Sequence, residues 1–247
     1  MMSSATTRYI DMHTHILPGI DDGAESMDET LRMAGQAYEE GIRLIIATPH
    51  YGIMNPGFSR FNAEEVFERA RAKIKEKYPD MGFALGNEIF YTGPSMIDDL
   101  SKGQALTIAG TDYMLVEFSP IDPLRKIEAG IRDITLGGYK PILAHSERYE
   151  ALYKDLGAVE DLIYAGAAIQ INSRSLTRGR LDRRTRWVKQ LIKEDMVHLI
   201  SSDCHNDSTR SPLMAEAADK LRQWTDEETF IKIMTDNPRR ILQNKFL

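Results

Sequence analysis

Two short segments far apart in the chain carry residue types that hold metal ions. His13-Thr14-His15 stands near the start and Asp203-Cys204-His205 near the end. In each, the competent residues are two apart, so on an extended strand they point to one face. Each pair follows or overlaps an apolar run, which puts it where a strand ends and a loop begins. Nearly every apolar run between them closes on a further candidate: His50, Glu88, Glu117 and His145. Asp22, in the loop Gly19-Ile20-Asp21-Asp22-Gly23, is placed to reach back over them. Imidazoles and carboxylates without thiolates suit Mn, Fe, Zn or Mg, and several converging together read as a multinuclear site. Buried carboxylates gathered at one place repel each other, a cost that cations relieve.

Each residue alone has an ordinary explanation. A lone histidine at a strand end is commonly a hydrogen-bonded core or rim residue. A lone glutamate after an apolar run is often the first solvated position. His198 is the internal example: it sits in mid-strand, out of phase with the terminal pair, and reads as structural. The ordered set as a whole is what argues for a metal site.

The elements that must position these residues follow from periodicity. Apolar or β-branched runs near 8–13, 43–48, 83–88, 112–118, 140–145, 167–172 and 196–202 are seven candidate strands. Helical patterns lie between them. One runs from Asp28 to Glu40 with Gly41 as its stop. Another is capped by Asn62, with Glu65 at the capping-box position, and runs to about Tyr78. Further helices are expected at 124–137, 157–165, 182–194, 212–224 and 226–235, and after Pro238. Alternation over the whole length predicts one parallel α/β domain spanning 1–247, with a short frayed tail at 1–8. In a closed α/β barrel the carboxyl ends of the strands share one mouth, where the chemistry sits.

The composition is that of an ordinary globular chain: 247 residues, 42% hydrophobic, 28% charged. A net charge of −6 supplies no drive towards nucleic acid or anionic lipid. No apolar run approaches bilayer-spanning length, and the start lacks the apolar stretch of a signal peptide. A single cysteine excludes an internal disulfide and fits a reducing cytoplasm.

The motifs His13-Thr14-His15, Asp21-Asp22-Gly23, Thr48-Pro49-His50, Gly86-Asn87-Glu88-Ile89, Val116-Glu117-Phe118-Ser119, His145-Ser146-Glu147-Arg148-Tyr149, Gln170-Ile171-Asn172-Ser173 and Ser202-Asp203-Cys204-His205-Asn206 occur in order. Together they resemble the polymerase-and-histidinol-phosphatase superfamily. Within it they most resemble the manganese-dependent bacterial protein-tyrosine phosphatases of capsule and exopolysaccharide loci, the CpsB/YwqE type. The resemblance runs from about Ile10 to Pro238. It implies a distorted (β/α)7 barrel with three divalent metal ions, Mn foremost, at the mouth. It implies His13, His15 and Asp203 on one ion, Glu88 bridging to a second held by Glu117 and His145, and Asp22, His50 and His205 on a third. It implies that Arg148 and Arg210 hold the phosphate, and that a metal-bridged hydroxide attacks phosphorus. The implied partner is a phosphotyrosine-bearing protein, a bacterial tyrosine kinase with a tyrosine-rich tail, met in the cytoplasm without direct membrane insertion.

Three other readings compete. Cys204 to Ser211 matches C-x5-R-[ST], the signature of cysteine-dependent phosphatases. Against it, no glycine lies between Cys204 and Arg210, Asp207 would put negative charge in the phosphate cradle, and the odd–even phase turns Cys204 towards the barrel wall. Histidinol-phosphate phosphatases share the superfamily site and would act on a small alkyl phosphate. A non-catalytic metal-binding module, as in some polymerases, is disfavoured by the complete ligand set. Around the mouth, Tyr51, Phe58, Phe90, Tyr91 and Tyr149 either frame an aromatic substrate or pack the rim. The basic run Arg178, Arg180, Arg183, Arg184 and Arg186 is either a solvated face or a docking surface for an acidic tail.

Overall fold

The computed structural model describes residues 9–247, and the tail expected at 1–8 lies outside them. Nine strands follow in chain order: β1 (Tyr9–Thr14), β2 (Ile42–Ala47), β3 (His50–Tyr51), β4 (Gly82–Leu85), β5 (Glu88–Phe90), β6 (Tyr113–Glu117), β7 (Lys140–Leu143), β8 (Ala168–Asn172) and β9 (Leu199–Ser201). All ladders are parallel, in two sheets ordered β1-β2-β4 and β3-β5-β6-β7-β8-β9. Helices connect the strands, as parallel pairing requires.

The nine strands occupy seven positions, because two expected strands are each broken in two. Pro49 has no N–H to give and separates β2 from β3. Gly86-Asn87 separates β4 from β5. The Asn87 side chain spans the break, donating to the Pro49 carbonyl at 2.8 Å and accepting from Leu106 N–H at 2.9 Å. Past the ends of the ladders, β1 and β9 are joined by a single parallel bridge, Thr14 to Cys204. Asp203 N–H donates to the His13 carbonyl (3.0 Å) and His15 N–H to the Cys204 carbonyl (2.8 Å). The pairings therefore return to their start, through one bridge on this side and not a full ladder.

Alternate strand residues separate two apolar layers. Ile45, Met114, Val116, Leu143, Ile169 and Ile200 face the surrounding helices. Ile10, Met12, Ile46, Leu115, Ile142, Ala168 and Leu199 form an inner layer. The β1–β2 register sets Asp11 opposite Ile45 but Thr14 opposite Ala47, three residues against two. This irregularity lets Met12 belong to the inner layer while His13, the very next residue, reaches the mouth.

The helix ends are set by caps. Ser26 accepts from Glu29 N–H and starts Met27–Glu39, and Gly41 follows with φ 87°. The second helix is Arg60–Lys77, and its cap is Ser59, not Asn62: the Ser59 hydroxyl accepts from Asn62 N–H. A seryl cap earlier in the chain outcompetes the asparagine three residues on. Asp155, Asp182 and Asp226 cap later helices. A helix at Ser95–Ser101 was not expected; it is short and carries no clear apolar stripe. No helix among the described residues is long and apolar enough to cross a membrane.

Candidate metal centre

Eight of the nine expected ligands lie at strand ends, at the two strand breaks or just beyond them, and Asp22 lies in the loop after β1. His13 is the penultimate residue of β1 and His15 follows the strand. His50 opens β3, Glu88 opens β5 and Glu117 closes β6; His145 and Asp203 follow β7 and β9. The two histidines of the first pair bring their Nε2 atoms to 3.2 Å. Glu88 Oε2 lies 3.3 Å from both, and Asp203 Oδ1 3.6 Å from both. His145 Nε2 is 2.8 Å from Glu88 Oε1 and 3.5 Å from Glu117 Oε2. His50 Nδ1 is 3.1 Å from both Glu88 Oε2 and Glu117 Oε1. Asp22 Oδ1 stands 3.5 Å from His50 Nε2 and from His205 Nε2. Donor atoms fall into three overlapping groups: His13, His15 and Glu88; His50, Glu88 and Glu117; and His15, Asp22, His50 and His205. His50 thus straddles the sets that the resemblance kept apart. Only Asp22, its side chain 61% exposed, stands over the mouth; Glu88 is 1% exposed.

The surrounding hydrogen bonds orient the rings. Gln170 Oε1 accepts from His145 N–H at 2.8 Å and lies 3.2 Å from His13 Nδ1, so that nitrogen is the donor. Asp21 Oδ2 accepts from His15 Nδ1 at 2.7 Å. With both Nδ1 atoms occupied in this way, the two rings turn their Nε2 atoms towards each other and towards two carboxylates, so that without protons there lone pairs and negative charge meet. That arrangement is repulsive by itself and suits a cation. Buried His50 Nδ1 and Glu117 Oε1, though 3.1 Å apart, do not meet in hydrogen-bond geometry. The residues present therefore fit divalent ions.

Without an ion, protons supply the missing positive charge. Burial pushes His15 down, but the Asp21 and Glu88 carboxylates outweigh it and hold the ring well above its usual value. Burial and Arg148 lower His145, yet Glu117 and Glu88 lift it to about 9. His50 is likewise raised, with Glu117 and Glu88 overriding its burial. Burial and the neighbouring His15 push His205 down to about 2. Burial would raise Glu88, but His13, His145 and His15 hold it well below the carboxylate range. Burial would raise Asp203 as well; His13 and Arg148 bring it far down.

Arg148 and Arg210 both reach Asp203. Arg148 Nη2 is 2.7 Å from Oδ2, and Arg210 Nη2 is 3.1 Å from both oxygens. A tight loop brings Arg210 there: His205 N–H donates to the Arg210 carbonyl, and Arg210 N–H to Asn206 Oδ1. The same loop removes the cysteine reading. Cys204 is 1% exposed within the apolar layer facing the helices, and burial and Asp11 push its thiol far above the usual range.

The backbone corrects one step of the sequence reasoning. Asp203 lies beyond β9 with φ 51°, and His145 beyond β7 with φ 33°. Asp203 and His205 therefore converge through a left-handed turn and not through strand pleat, and non-glycine residues in that region mark local strain. His198 does not lie in mid-strand but directly precedes β9. Its Nδ1 accepts from Ile169 N–H, and burial and Lys232 push it down to about 4, so its role is structural. Tyr91 and Tyr149 are wall residues: Tyr91 OH donates to Asp133, and Tyr149 OH accepts from Phe118 N–H. Tyr51 and Phe58 pack edge to face with centroids 5.4 Å apart.

Sequence reasoning assigned no role to four supporting residues. Asp21 was only the neighbour of Asp22. Gln170 Nε2 donates to Asn172 Oδ1 (3.0 Å), and Asn172 Nδ2 donates to Asp203 Oδ2 (2.7 Å), a relay from His13 to Asp203. Asp11 accepts from Ser202 N–H at 2.9 Å and ties β1 to β9; burial raises its carboxyl to about 6. The period-two spacing of Gln170 and Asn172 on β8 was the available signal.

Fold and site together define a parallel α/β protein whose strand ends gather histidine and carboxylate clusters able to hold metal. The family model of CpsB/CapC, capsular polysaccharide synthesis, matches residues 9–243, and the chain belongs to that family. It is 31% identical to the tyrosine-protein phosphatase CpsB of Streptococcus pneumoniae over 96% of this chain and 100% of that one. It is 35% identical to the tyrosine-protein phosphatase YwqE of Bacillus subtilis, covering 96% and 92%. A crystal structure from the pair YwqE and CpsB, described as unique metal-dependent tyrosine phosphatases, superposes with a TM-score of 0.87 at 31% identity, covering 96% of each chain.

Proposed function

We propose that this chain is a metal-dependent protein-tyrosine phosphatase of capsular or exopolysaccharide synthesis. It works in the cytoplasm as one catalytic domain, on a phosphotyrosine-bearing protein such as a bacterial tyrosine kinase with a tyrosine-rich tail. The observation that carries the reading is the convergence of His13 and His15 Nε2 on Glu88 and Asp203, with Arg148 and Arg210 beside them. His13, His15, Asp22, His50, Glu88, Glu117, His145, Asp203 and His205 would hold three divalent ions, Mn²⁺ foremost. When bound, such ions put positive charge beside the phosphoryl oxygens and lower the pKa of water.

The protein's own groups do the rest. Arg148 and Arg210 present planar forks that can each hold two phosphoryl oxygens, and Asp203 holds both guanidiniums at the mouth until substrate arrives. Gln170 and Asp21 keep the two Nδ1 atoms as donors, which leaves each Nε2 free to act as a ligand. A phenol has a pKa near 10, so phenolate departs without a strong general acid, and the site needs none for phosphotyrosine.

The test is phosphate release from a phosphotyrosyl peptide and from histidinol phosphate by metal-stripped protein, with and without Mn²⁺. Peptide turnover that requires metal is expected. Preference for histidinol phosphate would overturn the substrate class, and full activity without metal would overturn the metal centre.

A further inference from the structure

Beside Arg148 the rim of the mouth opens into a second depression of about 340 Å³. Its lining comes from the segments that follow β6, β7 and β8: Pro120, then Arg148 and Tyr153, then Arg183 and Arg184 in the first turn of the helix Arg183–Lys193. Arg148 therefore belongs to both places. Its Nη2 reaches Asp203 at the metal centre, while the residue also lines this cleft.

The charges on the cleft are not balanced from within. Among the described residues neither Arg183 nor Arg184 has a carboxylate oxygen within 4.0 Å, although the Asp182 charge acts on Arg184 from further off. Arg183 lies over the Tyr153 ring, 5.3 Å from its centroid, which holds the guanidinium at the rim. Asp182 is near Arg184, but its carboxylate is engaged as the helix cap, accepting from Arg184 N–H and Thr185 N–H. Glu147 lines the cleft but is buried, with Oε1 accepting from Ser175 OH (2.6 Å) and Asn172 N–H (3.2 Å). Glu150 is the one exposed carboxylate among the lining residues. Arg183 and Arg184 thus stand without an ion-pair partner beside Arg148, whose own guanidinium turns to Asp203.

Resting on the phosphatase reading above, we infer that this cleft is a substrate subsite for an acidic side chain flanking the phosphotyrosine, with Arg183 and Arg184 as its specificity determinants. Arg suits the role because its fork matches a carboxylate, and a rim ion pair selects among peptides without taking part in the chemistry. The occupant is a peptide carboxylate and not a membrane lipid, since the cleft adjoins the phosphoryl site.

The experiment compares kcat/KM of the Mn²⁺-loaded full chain on phosphotyrosyl peptides carrying Glu or Gln at each flanking position in turn. The wild type should favour Glu at one or more positions by about threefold per arginine engaged, and the preference should shrink as salt rises. In Arg183→Gln, Arg184→Gln and the double variant the Glu/Gln ratio should fall towards one. Arg186→Gln with Lys189→Gln serves as a charge control, because these residues line a different cleft. The proposal is overturned if the wild type turns over Glu and Gln peptides alike, or if the control pair removes the preference as fully as Arg183 and Arg184 do. Absence of turnover on every phosphotyrosyl peptide, with folded and metal-loaded protein, would instead overturn the phosphatase reading itself.

Discussion

Replacing Asp21 by asparagine removes one negative charge and keeps the shape, in a group that touches no expected ligand position except through hydrogen bonds. Asp21 Oδ2 accepts from His15 Nδ1 (2.7 Å) and from His50 N–H (2.9 Å), and Oδ1 accepts from Gly23 N–H (3.0 Å). Its side chain is 1% exposed. Asparagine has one acceptor oxygen. If that oxygen keeps His15 and His50, the amide NH2 meets Gly23 N–H donor to donor, at a cost of about 1–3 kcal/mol. Loss of the carboxylate behind a ligating imidazole weakens metal binding by about 10- to 100-fold, or about 1.4–2.7 kcal/mol.

Two assays separate these effects. Calorimetric titration of metal-stripped protein with Mn²⁺ reads the affinity, and thermal melting of the metal-free form reads stability, at about 2–4 °C per kcal/mol for a chain of this size. The stability loss has a pH signature. Burial would raise Asp21, but the His15 charge depresses it strongly, so its contribution is present above about 3.9 and fades as pH falls through the depressed value. His15 is raised, so its contribution is complete below about 6.5 and fades as pH rises through the raised value. The variant should therefore differ most from wild type between about pH 4 and 6.5. A folded Asp21→Asn protein that binds Mn²⁺ as tightly as wild type would refute the orienting role.

Two further outcomes follow from the same geometry. Cys204→Ala should keep kcat within about twofold, because the thiol is buried and held protonated; a loss beyond about 100-fold in a stable variant would restore the thiolate mechanism. Mn²⁺ affinity should rise with pH through neutrality, since His15, His50 and His145 are all raised and must shed protons to ligate. Calorimetry at pH 7 in buffers of different ionisation enthalpy should show net proton release, and none would refute this.

The candidate cluster was legible because a parallel α/β chain places every strand end at one mouth, so residue types after apolar runs were enough to nominate His13, His50, Glu88, Glu117 and His145. Residues that act through hydrogen bonds leave a fainter mark, for Gln170 and Asn172 their spacing of two on β8. Gln170 and Asn172 look like any polar strand residues, and only the fold brings them 157 and 31 residues along the chain to His13 and Asp203. The basic run at Arg178 to Arg186 was visible as charge, but which guanidiniums share a cleft with Arg148 depended on how the segments after β6, β7 and β8 pack together.

Local sequence determined the alternation of strands and helices, the strand breaks at Pro49 and Gly86-Asn87, and the residue types offered at the mouth, since these rest on periodicity and backbone chemistry within a few residues. Tertiary structure decided how those offers combine. The register irregularity in β1, the left-handed turns at His145 and Asp203 and the bridge from Thr14 to Cys204 all depend on partners far along the chain, and they set which nitrogen faces which oxygen.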